Sequence, residues 1–160
     1  MARIYVASSW RNDAQQSVVR ELERHGHAVY DFKNPPNRTG FAWQQVYLGG
    51  QVKNFNHYMA ALAHPVAAAG YLSDMRAMEW ADTCVLVLPC GRSAHLEAGW
   101  FAGRGKRLMI LTNDNEEWEL MALMANLITD DLNQIIAELR VGEAERPAPF
   151  FSEAALVGAK

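Results

Sequence analysis

Val85-Leu86-Val87-Leu88-Pro89-Cys90-Gly91-Arg92-Ser93-Ala94-His95-Leu96-Glu97-Ala98-Gly99-Trp100 reads as a buried strand that turns sharply into a helix. In an open parallel sheet such a turn lies at the carboxyl end of the strands, where these folds bind ligands. The spacing predicts a helix starting at Ser93, whose hydroxyl would cap the backbone amides two or three residues on. Glu97 then sits in the first turn, on the same face as the cap. Partial positive charge at the helix start favours the anion, and an ionised carboxylate can attack carbon. The plainer alternative is a solvated acid that only complements the dipole. Against it, a capping box wants its acid three residues after the cap, where Leu96 stands. Leu96, Trp100 and Phe101 also imply that much of this helix is buried. Glu97 is therefore the leading candidate for chemistry.

Working outward, strands and helices alternate. Ile4 to Ser8 is a short apolar strand, and Asn12 to Arg24 carries Val18, Val19 and Leu22 at helical spacing, with Gly26 closing the helix. His27 to Asp31 gives a second strand, and Asn34-Pro35-Pro36-Asn37 a loop, since prolines cannot continue a ladder. Residues 37 to 72 read as a long insertion over the sheet edge: Phe41, Trp43 and Tyr47 in an amide-rich stretch, Gly49-Gly50, then a helix from about Asn54 to Ala63 stopped near Pro65. A helix from Ser73 to Ala81, opened by Asp74, leads into a strand from Cys84 to Leu88. After the Ser93 to Ala102 helix come a strand at Arg107 to Thr112, a helix at Glu117 to Met124, a strand at Leu127 to Thr129 and a last helix at Asp131 to Arg140. This pattern predicts an α/β, flavodoxin-like three-layer sandwich with a five-stranded parallel sheet in the order 2-1-3-4-5. It implies one domain over residues 1–140 and a tail over 141–160, loose or docked on a neighbour. Gly99 and Gly103, four apart in a helix, each cost about 1 kcal/mol against alanine and imply close packing there, including against another subunit.

The chain has 160 residues, half of them hydrophobic, which suits one domain with a sizeable core. Net charge is −3 and the longest basic run is Lys106-Arg107, so a nucleic-acid polymer is a poor partner. Cys84 and Cys90, six apart in one strand-turn unit, do not suggest a secreted disulfide scaffold. With no signal-like start and no apolar run of membrane-spanning length, the expectation is a soluble, cytoplasmic protein with no membrane partner. The five histidines are scattered, and no Cys-x-x-Cys, His-Glu-x-x-His, Walker or Gly-x-Gly-x-x-Gly pattern occurs, so neither a metal nor another cofactor is expected.

Helices in such a fold start on the edge where the strands end, which predicts that three segments converge: Ser8-Ser9-Trp10-Arg11, Asp74, and Cys90-Gly91-Arg92-Ser93 with Glu97. Each has a plain alternative. Asp74 suits a helix dipole, Tyr5 a core strand, and Ser93 a cap, although a cap hydroxyl and free amides also suit phosphate. Trp10, Trp43 and Phe41 could stack on a planar base or pack in the core. Arg11, Lys33 and Arg92 suit phosphate or solvent. Cys90 precedes a helix start that favours thiolate, but the phosphatase loop places its arginine further on than Arg92.

Ile4-Tyr5-Val6-Ala7, Asp74 ahead of Met78-Glu79-Trp80-Ala81-Asp82-Thr83-Cys84-Val85-Leu86-Val87, and Ser93-Ala94-His95-Leu96-Glu97-Ala98-Gly99-Trp100 together resemble the nucleoside 2-deoxyribosyltransferase-like superfamily over roughly residues 3 to 112. The resemblance implies that Glu97 attacks the anomeric carbon and expels the base, that the Tyr5 hydroxyl positions that carboxylate, and that Asp74 shares the pocket. It implies that Ser93 contacts phosphate in members acting on 5′-monophosphates. It also implies a homodimer or larger assembly whose sites are completed by a neighbouring subunit, with Asn126 one candidate contributor. One departure stands out: transferases of the family carry an aspartate just after strand 3 that handles the proton on the base, and here Cys90 takes that place. A thiol is a poorer proton relay at neutral pH, its unperturbed pKa being about 8.5, which favours hydrolysis or a different base.

The expected activity is cleavage of the N-glycosidic bond of a nucleoside or nucleoside 5′-monophosphate, by hydrolysis or base exchange. Glu97 stands beneath an oxocarbenium-like sugar, Asp74 or water assists the departing base, and Ser8, Ser9, Trp10, Arg11, Trp43 and Cys90 to Ser93 bind substrate. Two rivals remain: a non-catalytic nucleotide sensor using the same crevice, and an NAD-cleaving domain of the Toll/interleukin-receptor-like kind, which shares the sheet and a glutamate.

Overall fold

Alternation along the central strands sorts the core onto two faces. The computed structural model describes residues 1–36, 40–47, 53–113 and 119–141. Its elements run β1 (Arg3–Ala7), α1 (Ala14–Arg24), β2 (Ala28–Asp31), a 3-10 turn at Trp43–Gln45, α2 (Phe55–Leu62), α3 (Pro65–Trp80), β3 (Thr83–Val87), α4 (Arg92–Gly103), β4 (Arg107–Leu111), a 3-10 turn at Leu120–Met124, β5 (Leu127–Thr129) and α5 (Leu132–Glu138). The strands form one five-stranded parallel sheet in the order β2-β1-β3-β4-β5, the flavodoxin-like arrangement expected. Two compact units divide the chain, Met1–Tyr30 with Ala81–Lys160, and Asp31–Trp80.

In the first unit Ile4, Val6, Val85, Val87 and Met109 face Val18, Val19 and Leu22 of α1 and Ile135 and Ile136 of α5. Intervening residues point the other way, and α4 covers them over β1, β3 and β4 with Ala94, Ala98 and Phe101. Every residue of β3 is buried, as the central strand of a doubly covered sheet must be. At the far end Arg107 is buried, and its guanidinium donates to the carbonyl oxygens of Glu138 (3.0 Å) and Val141 (3.4 Å), satisfying acceptors at the end of α5. Asn126 pairs both ways with Leu108: its amide nitrogen meets Leu108 O at 2.8 Å, and its Oδ1 accepts from Leu108 N at 2.9 Å. Gly26 closes α1 at φ +82°.

In the second unit Asn54 Oδ1 caps α2 by accepting from His57 N at 2.9 Å. The Tyr47 hydroxyl donates to the His57 carbonyl. Pro65 does not merely stop α2; it opens α3, where its missing N–H costs nothing. The helix expected from Ser73 therefore begins eight residues earlier. Its first half, Pro65-Val66-Ala67-Ala68-Ala69-Gly70-Tyr71-Leu72, carries no polar stripe for periodicity to detect, while its alanines favour helix.

Two further expectations are corrected. A Cβ on Gly99 or Gly103 would meet nothing within 4 Å, so neither is packed closely within the chain; the tight glycine is Gly70, where a Cβ would lie 2.5 Å from that of Phe41. Of the helix expected at Glu117 to Met124, only the 3-10 turn from Leu120 is formed among the described residues. Gly49-Gly50, residues 117 and 118 and the tail beyond 141 lie outside them. No helix among the described residues is long and apolar enough to cross a membrane.

Helix propensity alone favours alanine over glycine by about 1 kcal/mol, but relieving the Phe41 contact costs about 1–3 kcal/mol. Gly70→Ala should therefore lower the thermal midpoint; a rise would show that Phe41 gives way freely.

His27 Nδ1 accepts the Ala2 amide at 3.2 Å. Burial, followed by the positive charges of the N-terminus, His25 and Arg140, holds its pKa below the ordinary 6.5, with Asp82 opposing. The unfolded chain thus takes up the proton first as pH falls. This contribution is fully present above about pH 6.5 and declines below it, toward the lowered folded value. His27→Asn, which keeps an acceptor, should flatten the urea midpoint between about pH 7 and pH 5 relative to wild type.

Candidate functional site

The sheet's topological switch point lies between β1 and β3, and the turns that leave these strands are tied together there. Ser8 Oγ donates to the Val87 carbonyl at 2.7 Å. The Asn12 side-chain amide donates to Ser8 Oγ (3.1 Å) and to the carbonyls of Val87 (3.2 Å) and Pro89 (3.1 Å). Its Oδ1 accepts from Ala14 N at 2.9 Å, so one buried side chain joins both turns to the start of α1. Ser9 Oγ accepts from Arg11 N, which shapes the turn and leaves Trp10 and Arg11 exposed. Sequence reading used Asn12 only as a helix start; its part in the site depends on acceptors some 75 residues away.

α4 starts earlier than expected. Gly91 in an extended conformation is its N-cap, Arg92 is the first helical residue, and no side chain caps it. Ser93 is thus an exposed residue within the helix and not its cap, and the first turn holds no acid. Glu97 lies beyond the reach of the helix-start charge, so the dipole is not what sets its state. Leu96, expected to be buried, is 77 % exposed.

Glu97 is half-buried on the flank of α4 opposite Arg92, His95 and Leu96. Its charge is felt inside the sheet. The fully buried Cys84 thiol is pushed well above its ordinary pKa, first by burial and then by the Glu97 carboxylate; a backbone hydrogen bond from Ala7 opposes this, and Cys90 adds a smaller push. Cys84 is the register partner of Tyr5. Tyr5 is itself buried, stacked on Tyr30 (5.4 Å between centroids, 15°) and tilted against Phe101 (5.8 Å, 39°). The carboxylate is therefore near enough to bear on the Cys84 thiol, whose strand neighbour in register is Tyr5.

Asp74 does not open a helix. It is the tenth residue of the sixteen in α3, half-buried in the second unit, so the convergence argued from helix starts does not apply to it. Trp43 lies in the same unit, its ring edge-on to Phe41 at 5.0 Å and tilted to Tyr58 at 6.1 Å. Cys90, Gly91 and Arg92 form the turn from β3 into α4, where the Leu88–Pro89 peptide is cis. Sequence reasoning also missed a contact there: Cys90 Sγ lies 3.3 Å from His95 Nδ1, and His95 Nε2 lies 3.2 Å from Glu119 Oε2. The first pairing is one helical turn long and legible; the second spans 24 residues and is not. Among the described residues no group of three or more His, Cys, Asp or Glu side chains is placed to hold a metal ion.

No family model matches the chain, and no curated protein does. Among solved structures the fold is similar to that of a 2-deoxyribosyltransferase from Bacillus psychrosaccharolyticus, at 19 % identity over 94 % of this chain and 100 % of that one, with a TM-score of 0.57. A CMP N-glycosidase from Clostridium botulinum matches at 14 % identity over 87 % of this chain and 99 % of that one, TM-score 0.48. A conserved protein from Enterococcus faecalis V583 matches at 16 % over 99 % and 85 %, TM-score 0.47. The chain is thus a flavodoxin-like α/β protein, and its fold is similar to that of a 2-deoxyribosyltransferase along nearly its whole length.

Replacing the Asn12 amide should expose how much the site depends on it. Asn12→Ala removes these bonds while Val87 keeps its Ser8 donor, at a cost of about 1 kcal/mol. Asn12→Asp, which turns an anion toward three oxygens, should cost more. Equal urea midpoints for the two variants would refute the donor role.

Proposed function

We propose that the chain cleaves the N-glycosidic bond of a nucleoside or nucleoside 5′-monophosphate, with Glu97 as the nucleophile. The observation that carries this reading is the place of the half-buried Glu97 on α4, the helix that packs over β1 and β3 on either side of the switch point, where open α/β sheets take ligands. Likeness of fold to a 2-deoxyribosyltransferase supports it.

Glu97 attacks the anomeric carbon as the bond to the base breaks, giving a glycosyl-enzyme ester through an oxocarbenium-like transition state. Water then releases the sugar, or a second base captures it. By the resemblance the Tyr5 hydroxyl positions that carboxylate, and its ring is fixed by contacts with Tyr30 and Phe101. Ser8 is engaged with Val87, so its role is to fix the turn, while the exposed Trp10, Arg11, Arg92 and Ser93 supply stacking and phosphate contacts. The resemblance implies that Asp74 shares the pocket, and the ring of Trp43 suits stacking on a planar base. A homodimer or larger assembly belongs to the same proposal, and sedimentation reads it.

The test is chromatography for released base after incubation with ribo- and deoxyribonucleosides, their 5′-monophosphates and NAD, with and without a second base. Glu97→Gln should lower base release by about 10³-fold or more while its circular dichroism matches wild type. Asp74→Asn tests the contact carried by resemblance. Near-normal turnover in Glu97→Gln would end the assignment, and an exchanged nucleoside would make the reaction a transfer.

A further inference from the structure

The flank of α4 that carries His95 borders a groove of about 1140 Å³, which the glycosidic reaction does not use. Leu86 of β3, Leu108 and Ile110 of β4 and Ile128 of β5 line it from the sheet, with α4 on one side and the 3-10 turn at Leu120–Met124 on the other. The charged lining residues Arg92, His95 and Glu119 gather at one end, beside the start of α4, where His95 Nε2 and Glu119 Oε2 are 3.2 Å apart. Toward Leu108, at the start of β4, the lining is apolar. Leu96 and Leu120 on its rim are more than three-quarters exposed, and a contiguous apolar surface of this kind marks a place where something binds. Small-molecule pockets hold roughly 300–1,000 Å³, so this groove suits a length of peptide.

The described chain ends close to the apolar end of this groove. The Val141 carbonyl accepts from the Arg107 guanidinium at 3.4 Å, and Arg107, the first residue of β4, precedes Leu108. Residues 142–160 follow, outside the described structure. Their sequence falls into two parts. Residues 142–149 are polar or small, with prolines at Pro147 and Pro149. Phe150-Phe151-Ser152-Glu153-Ala154-Ala155-Leu156-Val157 is mostly apolar, with Phe150, Ala154 and Val157 at the i, i+4, i+7 spacing of a groove-binding segment. Residues 142–149 can span up to about 26 Å, more than the roughly 17 Å that β4 covers along the groove.

We propose that the groove docks residues 150–157 of the same chain, with Phe150 and Phe151 on its apolar floor and residues 142–149 as the tether. Two arguments favour this occupant. A two-fold contact sets one patch against itself, so a second copy would bring groove to groove and leave both unfilled. An apolar segment of a separate protein competes against a tethered one, whose short tether gives a millimolar effective concentration. Docking covers Leu96, Leu120 and Met121 and braces the flank of α4 opposite Glu97.

The experiment places a nitroxide at Ala159→Cys in the full methyl-labelled chain, with Cys90→Ser; Cys84 is fully buried and takes no label. Methyl signals of Leu108, Ile110 and Met124 should broaden strongly, and those of Val18 and Leu22 on the far face of the sheet far less. Labelled chain without nitroxide, mixed with unlabelled chain that carries it, should show no such broadening. Phe150→Ser with Phe151→Ser should abolish the effect and lower the thermal midpoint by about 2–4 °C or more, at wild-type circular dichroism. Broadening seen only in the mixture would place the segment on another copy and overturn the proposal. Groove signals no broader than those of α1, or an effect that survives loss of both rings, would overturn it as well. None of these readouts uses base release, so the outcome is separate from that of the glycosidic proposal.

Discussion

At the carboxyl edge of the sheet the Asn12 amide reaches from the turn after β1 to the carbonyls of Val87 and Pro89 at the end of β3, and Ser8 Oγ makes a second bond to Val87. A buried amide whose donors and acceptor are all engaged holds such a junction in one arrangement. The bond set joins the end of β1, the end of β3 and the start of α1. α4 begins directly beyond the same turn, so its axis and the direction of its side chains follow from how that turn is held.

α4 divides the surface above the sheet. Small residues, Ala94 and Ala98, let it sit close to β3, and Phe101 fills the space beneath it against Tyr5. One flank presents Glu97 near the β1–β3 rung, and the other presents His95 to the β4–β5 side. The sheet shields the two flanks differently. On the β1 side Tyr5, Tyr30 and Phe101 form a buried aromatic stack, whereas on the β3–β5 side His95 and Glu119 stand on the wall of a groove of about 1140 Å³.

The site was legible where its residues are local. The buried strand, the turn at Pro89 to Gly91 and a carboxylate on the following helix follow from apolar runs and breakers within one stretch. Ser93 was misplaced as a cap because side-chain capping preferences were applied to a turn that uses an extended glycine, which needs no side chain to start a helix. Asp74 was misplaced because an alanine-rich half-turn sequence hides the start of α3 from any amphipathic pattern. Leu96 was assigned to the core because apolar character was taken as burial, while it lies on the outer side of α4, away from the sheet that Ala94, Ala98 and Phe101 face.

Strand order and the strand–turn–helix that carries Glu97 were determined by the sequence alone, since both depend on short-range periodicity and on the handedness rules of parallel sheets. Residues 37–72 were recognised as an insertion, but the compact unit runs from Asp31 to Trp80, because packing such as Phe41 on Gly70 joins positions 29 apart with no local signature. The Asn12 tie, the coupling of Glu97 to Cys84 and the His95–Glu119 pair were decided only by tertiary structure. Each is a polar or electrostatic contact whose partner is chosen by where the sheet brings the chain, and no propensity of the residues themselves encodes that partner.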